Sequence, residues 1–175
     1  MTQKIVNLLL FFLAIPLFAQ ESPDVILTSG HNDQVNAMRL TKDGRFLASE
    51  SNDKQIKIWE LATGMEFRTI SGTAGRVEQL AFSPDNIHLA GTSFNNELLV
   101  WNVITGETVY TSVSENTRGL CFSKDGGHLY FTNDDSKLTA IDTKTWDEKV
   151  MSESYSTEFI VDTTKSVAYI HRSPG

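Results

Sequence analysis

An all-β fold built from repeated four-stranded antiparallel units is predicted for this 175-residue chain by three features of its sequence. First, residues 30–64 realign on residues 72–106 without a gap when 42 is added to each number. Gly30 then falls on Gly72, Val35 on Val77, Asp43 on Asp85, Leu47 on Leu89, Trp59 on Trp101 and Thr63-Gly64 on Thr105-Gly106. Second, short apolar runs of β-type residues are punctuated by Gly, Asn and Asp, the residues that turns demand. Together these point to a propeller or a solenoid. Third, the chain has one cysteine, Cys121, so no internal disulfide can hold it and the fold stands on its apolar core.

The elements follow in chain order. Lys4 precedes an almost unbroken apolar stretch from Leu8 to Phe18, and the small Ala19 follows. That run is roughly a dozen residues, whereas a membrane span needs about 20. Residues 1–19 therefore read as a cleaved secretory signal peptide, and the chain is expected to be exported, to a periplasm or the exterior. No cysteine follows the expected cleavage point, so no lipid anchor is indicated. Val25–Ser29 reads as a lone strand.

The first full unit has strands at Val35–Leu40, Phe46–Ser51, Gln55–Trp59 and Glu66–Ile70. Lys42-Asp43-Gly44-Arg45 makes the first hairpin turn, where Gly44 can take the positive φ that such turns require. Asn52-Asp53-Lys54 and Ala62-Thr63-Gly64 make the next two. Four consecutive antiparallel strands with short connections form a meander, which is one propeller blade. The second unit repeats this at Val77–Phe82, His88–Ser93, Leu98–Trp101 and Thr108–Val113. The third is offset by 40, so Phe82 maps to Phe122, Asp85 to Asp125 and Leu89 to Leu129; two residues are lost around Ser114–Thr117. A weaker fourth copy, offset by 39, supplies Glu158–Val161 and Val167–Ile170. The predicted domain is thus 20–175, with blade one at 35–71, blade two at 77–113, blade three at 117–152 and the start of blade four at 157–172. About three and a half blades form an open or incomplete ring, which predicts an N-terminal portion of a longer protein or a truncated reading frame.

Gly30-His31, the run LASESNDKQIKIWE ending in Trp59-Glu60, and AFSPD at 81–85 resemble the signatures of the WD-repeat β-propeller family over about residues 25–172. The resemblance implies that His31, Ser49, Asp53 and Trp59 form a buried hydrogen-bond chain within blade one. An indole can only donate, so Trp59 needs an acceptor, which the Ser49 hydroxyl supplies. Ser49 would donate onward to His31, and the other ring nitrogen of His31 to Asp53. Every partner is then satisfied, as a buried polar network requires. Ser, His and Asp together also suggest a catalytic triad. That reading is disfavoured, because Ser49 lies in a strand, is occupied by the indole, and has no G-x-S-x-G turn around it. Later copies lose the network: His31 becomes Thr73, Ser49 becomes Gly91 and Asp53 becomes Asn95, while in the third copy Ile141 replaces the tryptophan and Asp135 keeps the acidic position. Those blades are expected to rely on apolar packing.

Other candidates weigh less. Cys121 sits in the apolar run Leu120-Cys121-Phe122 and reads as buried and inert. His88 and His128 share one repeat position (88 + 40 = 128) and could line a metal site, but Phe46 occupies that place in blade one, which favours packing. Asn133-Asp134-Asp135 lacks the ligand spacing of a calcium loop and reads as a turn. No P-loop, G-x-G-x-x-G or H-E-x-x-H occurs, so neither a cofactor, a metal nor an enzyme activity is expected. The charge of −7, from 22 acidic and 15 basic residues, argues against binding to nucleic-acid backbones, and there is no polybasic patch for membranes.

The resemblance implies a partner-binding face at the connections into strand one and between strands two and three. The repeat places Gln34, Arg76 and Asn116 before the first strands, and Asn52, Phe94 and Asp134 before the turn acid. Phe94 stands out, because an aromatic in a tight turn has no local reason to be there; it either anchors a partner or folds over a neighbouring blade, and the second weighs more. The expected function is a non-catalytic exported scaffold binding a protein, peptide or other ligand through this face. The alternative is an accessory propeller of a larger enzyme, with catalytic residues in further blades or a downstream domain.

Overall fold

The computed structural model describes residues 30–71, 75–113, 117, 119–133, 137–152, 158–162 and 167–171. Every regular element among them is a strand. Blade one comprises β1 (Val35–Leu40), β2 (Phe46–Ser51), β3 (Gln55–Glu60) and β4 (Met65–Ser71). Blade two comprises β5 (Val77–Phe82), β6 (His88–Ser93), β7 (Glu97–Asn102) and β8 (Thr108–Val113). Blade three comprises β9 (Gly119–Phe122), β10 (His128–Thr132), β11 (Leu138–Asp142) and β12 (Glu148–Ser152). Each is a four-stranded antiparallel meander in sequence order, and β13 (Glu158–Asp162) pairs with β14 (Val167–His171) in a fourth, two-stranded sheet. β4 and β7 run a residue beyond the expected ends on each side, because ladder pairs such as Glu60↔Met65 continue up to the tight turns. The Val25–Ser29 strand, residues 1–19 and the connection at 114–116 lie outside the described residues.

Backbone chirality repeats with the sequence. Positive φ occurs at Gly44, Asn86 and Gly126 in the first hairpin turns and at Lys54 and Asn96 in the second. In the third turns it falls on Gly64, Gly106 and Trp146. A bulky side chain at φ 62° is uncommon, with a strain on the order of 1–3 kcal/mol. The Trp146 ring offsets it by packing, stacked on Tyr110 at 5.3 Å and edge-on to His88 at 5.7 Å, across the joint between blades two and three. His88 therefore has a packing partner of its own, while His128 stacks on Tyr130.

The first hairpin turn is built the same way in all three blades. Thr41, Ser83 and Ser123 donate their hydroxyls to Asp43, Asp85 and Asp125 at 2.7, 2.5 and 2.6 Å, and accept the amides of Phe46, His88 and His128. Backbone amides also bond each aspartate, at Arg45, Ile87 and Gly127. This local ring of bonds returns the chain into its second strand at a fixed angle.

The cores lie between blades. Strand alternation sends Phe46, Ala48, Ile56, Ile58 and Ile70 of blade one against Val77, Leu80, Leu89, Trp101 and Val103 of blade two. The opposite face of blade two, with Ala90, Leu98 and Val100, meets Phe122, Leu129, Phe131 and Ile141 of blade three. Each fully buried aliphatic here is worth about 1.5–3 kcal/mol. The buried Glu50 ties the first joint further, accepting the Val77 amide at 3.0 Å. Adding 42 shows which blade face lacks a neighbour among the described residues: Val77, Leu80 and Val103 are 0, 2 and 0% exposed, but their counterparts Val35, Met38 and Leu61 are 41, 66 and 43% exposed.

Candidate functional site

Blade one brings four polar side chains into one chain of bonds. Trp59 Nε1 donates to Ser49 Oγ at 2.8 Å, and that hydroxyl lies 2.8 Å from His31 Nε2. His31 Nδ1 is 3.0 Å from Asp53 Oδ2. Because the indole can only donate, the self-consistent direction has Ser49 donating to Nε2 and Nδ1–H donating to Asp53. Asp53 also accepts the amides of Asn32 and Gln55, so it closes the turn before β3. Burial raises the Asp53 pKa, but the His31 bond and these amides outweigh it and hold the carboxyl below its ordinary value. Ser49 is buried and its hydroxyl is engaged on both sides.

The same positions in blade two are occupied differently. A Cβ at Gly91 would meet the Trp101 ring at 2.9 Å and Val77 Cγ1 at 3.0 Å, so the indole lies where the Ser49 side chain would be. Trp101 is 3% exposed and belongs to the apolar core. In blade three Phe131 and Ile141 take both places, each buried. Thr73 and Asp135 lie outside the described residues.

The candidate face is organised by the turns that carry it. Asn52 N donates to Gln34 O at 3.0 Å, and one repeat later Phe94 N donates to Arg76 O at 2.8 Å. Gln34, Asn52 and Arg76 are exposed, and Asn52 Oδ1 accepts Asn36 Nδ2 at 2.8 Å. Phe94 is 71% exposed, so it does not fold over a neighbouring blade. Asn116 and Asp134 lie outside the described residues. Among the described residues no group of three or more His, Cys, Asp or Glu side chains could hold a metal. Cys121 is half-buried, and burial pushes its thiol up to about 12, which keeps it neutral.

Comparison with known proteins fits this geometry. The family model "WD domain, G-beta repeat" matches residues 24–60 and 64–102. Eukaryotic translation initiation factor 3 subunit I of Aspergillus oryzae is 32% identical over 119 residues, 68% of this chain and 33% of that protein. Its Aspergillus fumigatus counterpart is 34% identical over 105 residues, covering 59% of this chain and 31% of the relative. Protein tipD of Dictyostelium discoideum is 30% identical over 83 residues, 47% of this chain and 14% of tipD. The chain thus spans about a third, or less, of the curated relatives named here. In fold it matches a structure of U3-55K with a TM-score of 0.63 at 21% identity, over 70% of this chain and 40% of that one. A structure of the RRP9 WD40 repeats gives 0.62 at 22%, over 69% and 38%.

These relatives correct one expectation. Export to a periplasm or the exterior was read from residues 1–19, but a translation initiation factor subunit points to an intracellular protein. The apolarity of residues 8–18 measures hydropathy, which by itself does not state a destination. WD-repeat proteins mediate protein–protein interactions. With the repeat, the blades, the family model and the fold in agreement, this chain belongs to the WD-repeat β-propeller family.

Proposed function

We propose that the chain is a non-catalytic scaffold that binds a protein or peptide partner through the face carrying Gln34, Asn52, Arg76 and Phe94. Asn116 and Asp134 hold the same repeat positions and would extend that face to blade three. The observation that carries this reading is Phe94, 71% exposed in a tight turn whose backbone is bonded to Arg76. So exposed a ring adds little to the fold. Burying it on a partner would gain about 1.5–3 kcal/mol. An aromatic beside an arginine is the composition that binding hot spots favour. The relatives named as subunits of an initiation factor support assembly with other proteins.

The test is quantitative capture of partners from cell extract on the immobilised chain. Phe94→Ala and Arg76→Ala should each reduce capture about tenfold or more. Melting temperature should stay within about 1–2 °C of wild type, because exposed substitutions are nearly neutral for stability. Undiminished capture by both variants would refute the site.

A further inference from the structure

The inner strands β1 and β5 start beside Gln34 and Arg76 and run away from that face, ending at Leu40 and Phe82. At this opposite end they converge with β9 on a cavity of about 380 Å³. Its charge is unlike that of the chain as a whole. The chain carries −7, yet among the described residues Arg39, Lys42 and Lys124 line the cavity and no carboxylate does. Asp43, Asp85 and Asp125 adjoin the lining in sequence and keep their charge, but their oxygens are engaged by the hairpin hydroxyls and amides of their own turns. Arg39 is held in place, since its Nε donates across the blade joint to Leu80 O at 2.8 Å. Neither Arg39 nor Lys42 has an ion-pair partner among the described residues. Between the cations the lining is apolar: Leu40 is 54% exposed, and Phe82 and Leu120 are half-buried. Cys121 also lines the cavity, as a neutral thiol that adds neither charge nor a nucleophile.

We propose that this cavity is a second interaction surface, separate from the Phe94 face, which takes an acidic peptide segment carrying a large apolar side chain. Carboxylates of the segment meet the terminal nitrogens of Arg39 and the ammonium of Lys42, a charge-assisted pairing for which the guanidinium is already positioned. The apolar side chain settles between Leu40, Phe82 and Leu120, where it removes exposed hydrophobic surface from water. The volume suits one or two side chains, at the small end of the range for ligand pockets, which is roughly 300–1,000 Å³.

Fluorescence anisotropy with three labelled heptapeptides tests this on the full chain: Glu-Leu-Glu-Phe-Glu-Leu-Glu, its Lys-for-Glu counterpart, and an all-Glu peptide. The first should bind, the second should not, and the third should bind at least about fivefold more weakly for want of the apolar contact. Arg39→Gln and Lys42→Gln should each weaken the first peptide about tenfold. Raising salt from about 0.05 to about 0.5 M should weaken it several-fold. Phe94→Ala should leave it unchanged. Arg39→Gln also loses the bond to Leu80, so Lys42→Gln, in an exposed turn, decides the matter if the arginine variant folds poorly. No binding up to about 1 mM peptide, equal binding of the basic peptide, or full affinity in Lys42→Gln would each overturn the proposal.

Discussion

Trp59 and Trp101 occupy one position of the repeat, yet they are held by different physics. Trp59 hands its N–H to Ser49 and so anchors a polar chain that reaches Asp53 in the next turn. Trp101 lies against the backbone of Gly91, 3% exposed, and fills the joint between blades one and two. The residue that the indole reaches diagonally across the ladder, Ser49 or Gly91, decides which arrangement forms. A hydroxyl there holds the ring by its edge, and a glycine lets the ring collapse onto the strand. The repeat conserves a shape, and two different side-chain solutions produce it.

The sharpest way to break the comparison is to give blade two the residue of blade one. Gly91→Ser places a Cβ 2.9 Å from the ring of a buried tryptophan and 3.0 Å from Val77, both packed on all sides. Both neighbours are buried, so overpacking should cost about 2–3 kcal/mol, read as a lower denaturant midpoint at constant slope. A neutral outcome would mean that Trp101 can swing out and that the joint is looser than its burial indicates. The converse change is milder. Ser49→Ala removes the shared hydroxyl and leaves Trp59 N–H and His31 Nε2 without their partner, at about 1–2 kcal/mol. The effect should also appear as faster amide exchange in the Asp53 turn, which the network holds to the strands.

The contrast marks how far the sequence alone could be read. Turn chemistry was legible, because a hairpin such as Thr41-Lys42-Asp43-Gly44 closes on its own residues and recurs wherever the motif recurs. Strand alternation was legible for the same reason, and the 42-residue offset aligns Ser49 with Gly91 in the sequence itself. What escaped notice lies between blades. Nothing local tells that Glu50 reaches the amide of Val77, whereas its counterpart Thr92 has a buried hydroxyl with no hydrogen-bond partner among the described residues. Nor does it tell that a tryptophan at 146 tolerates the glycine conformation because Tyr110 and His88 receive its ring. The basic cavity is invisible for a further reason. Arg39, Lys42 and Lys124 come from two blades and converge only when the inner strands stand side by side.

The subtlest difference between the two blades concerns acid. Blade one has Asp53 where blade two has Asn95, so only blade one carries a titratable group at the end of its polar chain. Bonds from His31 and from the Asn32 and Gln55 amides hold the Asp53 pKa below its ordinary value of 3.8 despite burial. A depressed folded pKa means that the unfolded chain takes up the proton first as pH falls. The stabilisation from Asp53 is therefore fully present above the unfolded pKa, at about pH 5 and higher, and is lost as pH drops through about 4 towards the folded value. Asp43, Asp85, Asp125 and Asp142 are depressed as well, so the whole protein should lose stability over this window, and only a difference isolates the network. Asp53→Asn gives blade one the residue of blade two. Its stability should lie below wild type at pH 7, and the gap should narrow steadily between about pH 5 and pH 3. Urea titrations of both proteins at each pH measure that gap directly. A gap that stays constant with pH would mean that Asp53 acts through shape alone, and that its charge contributes nothing to the blade it caps.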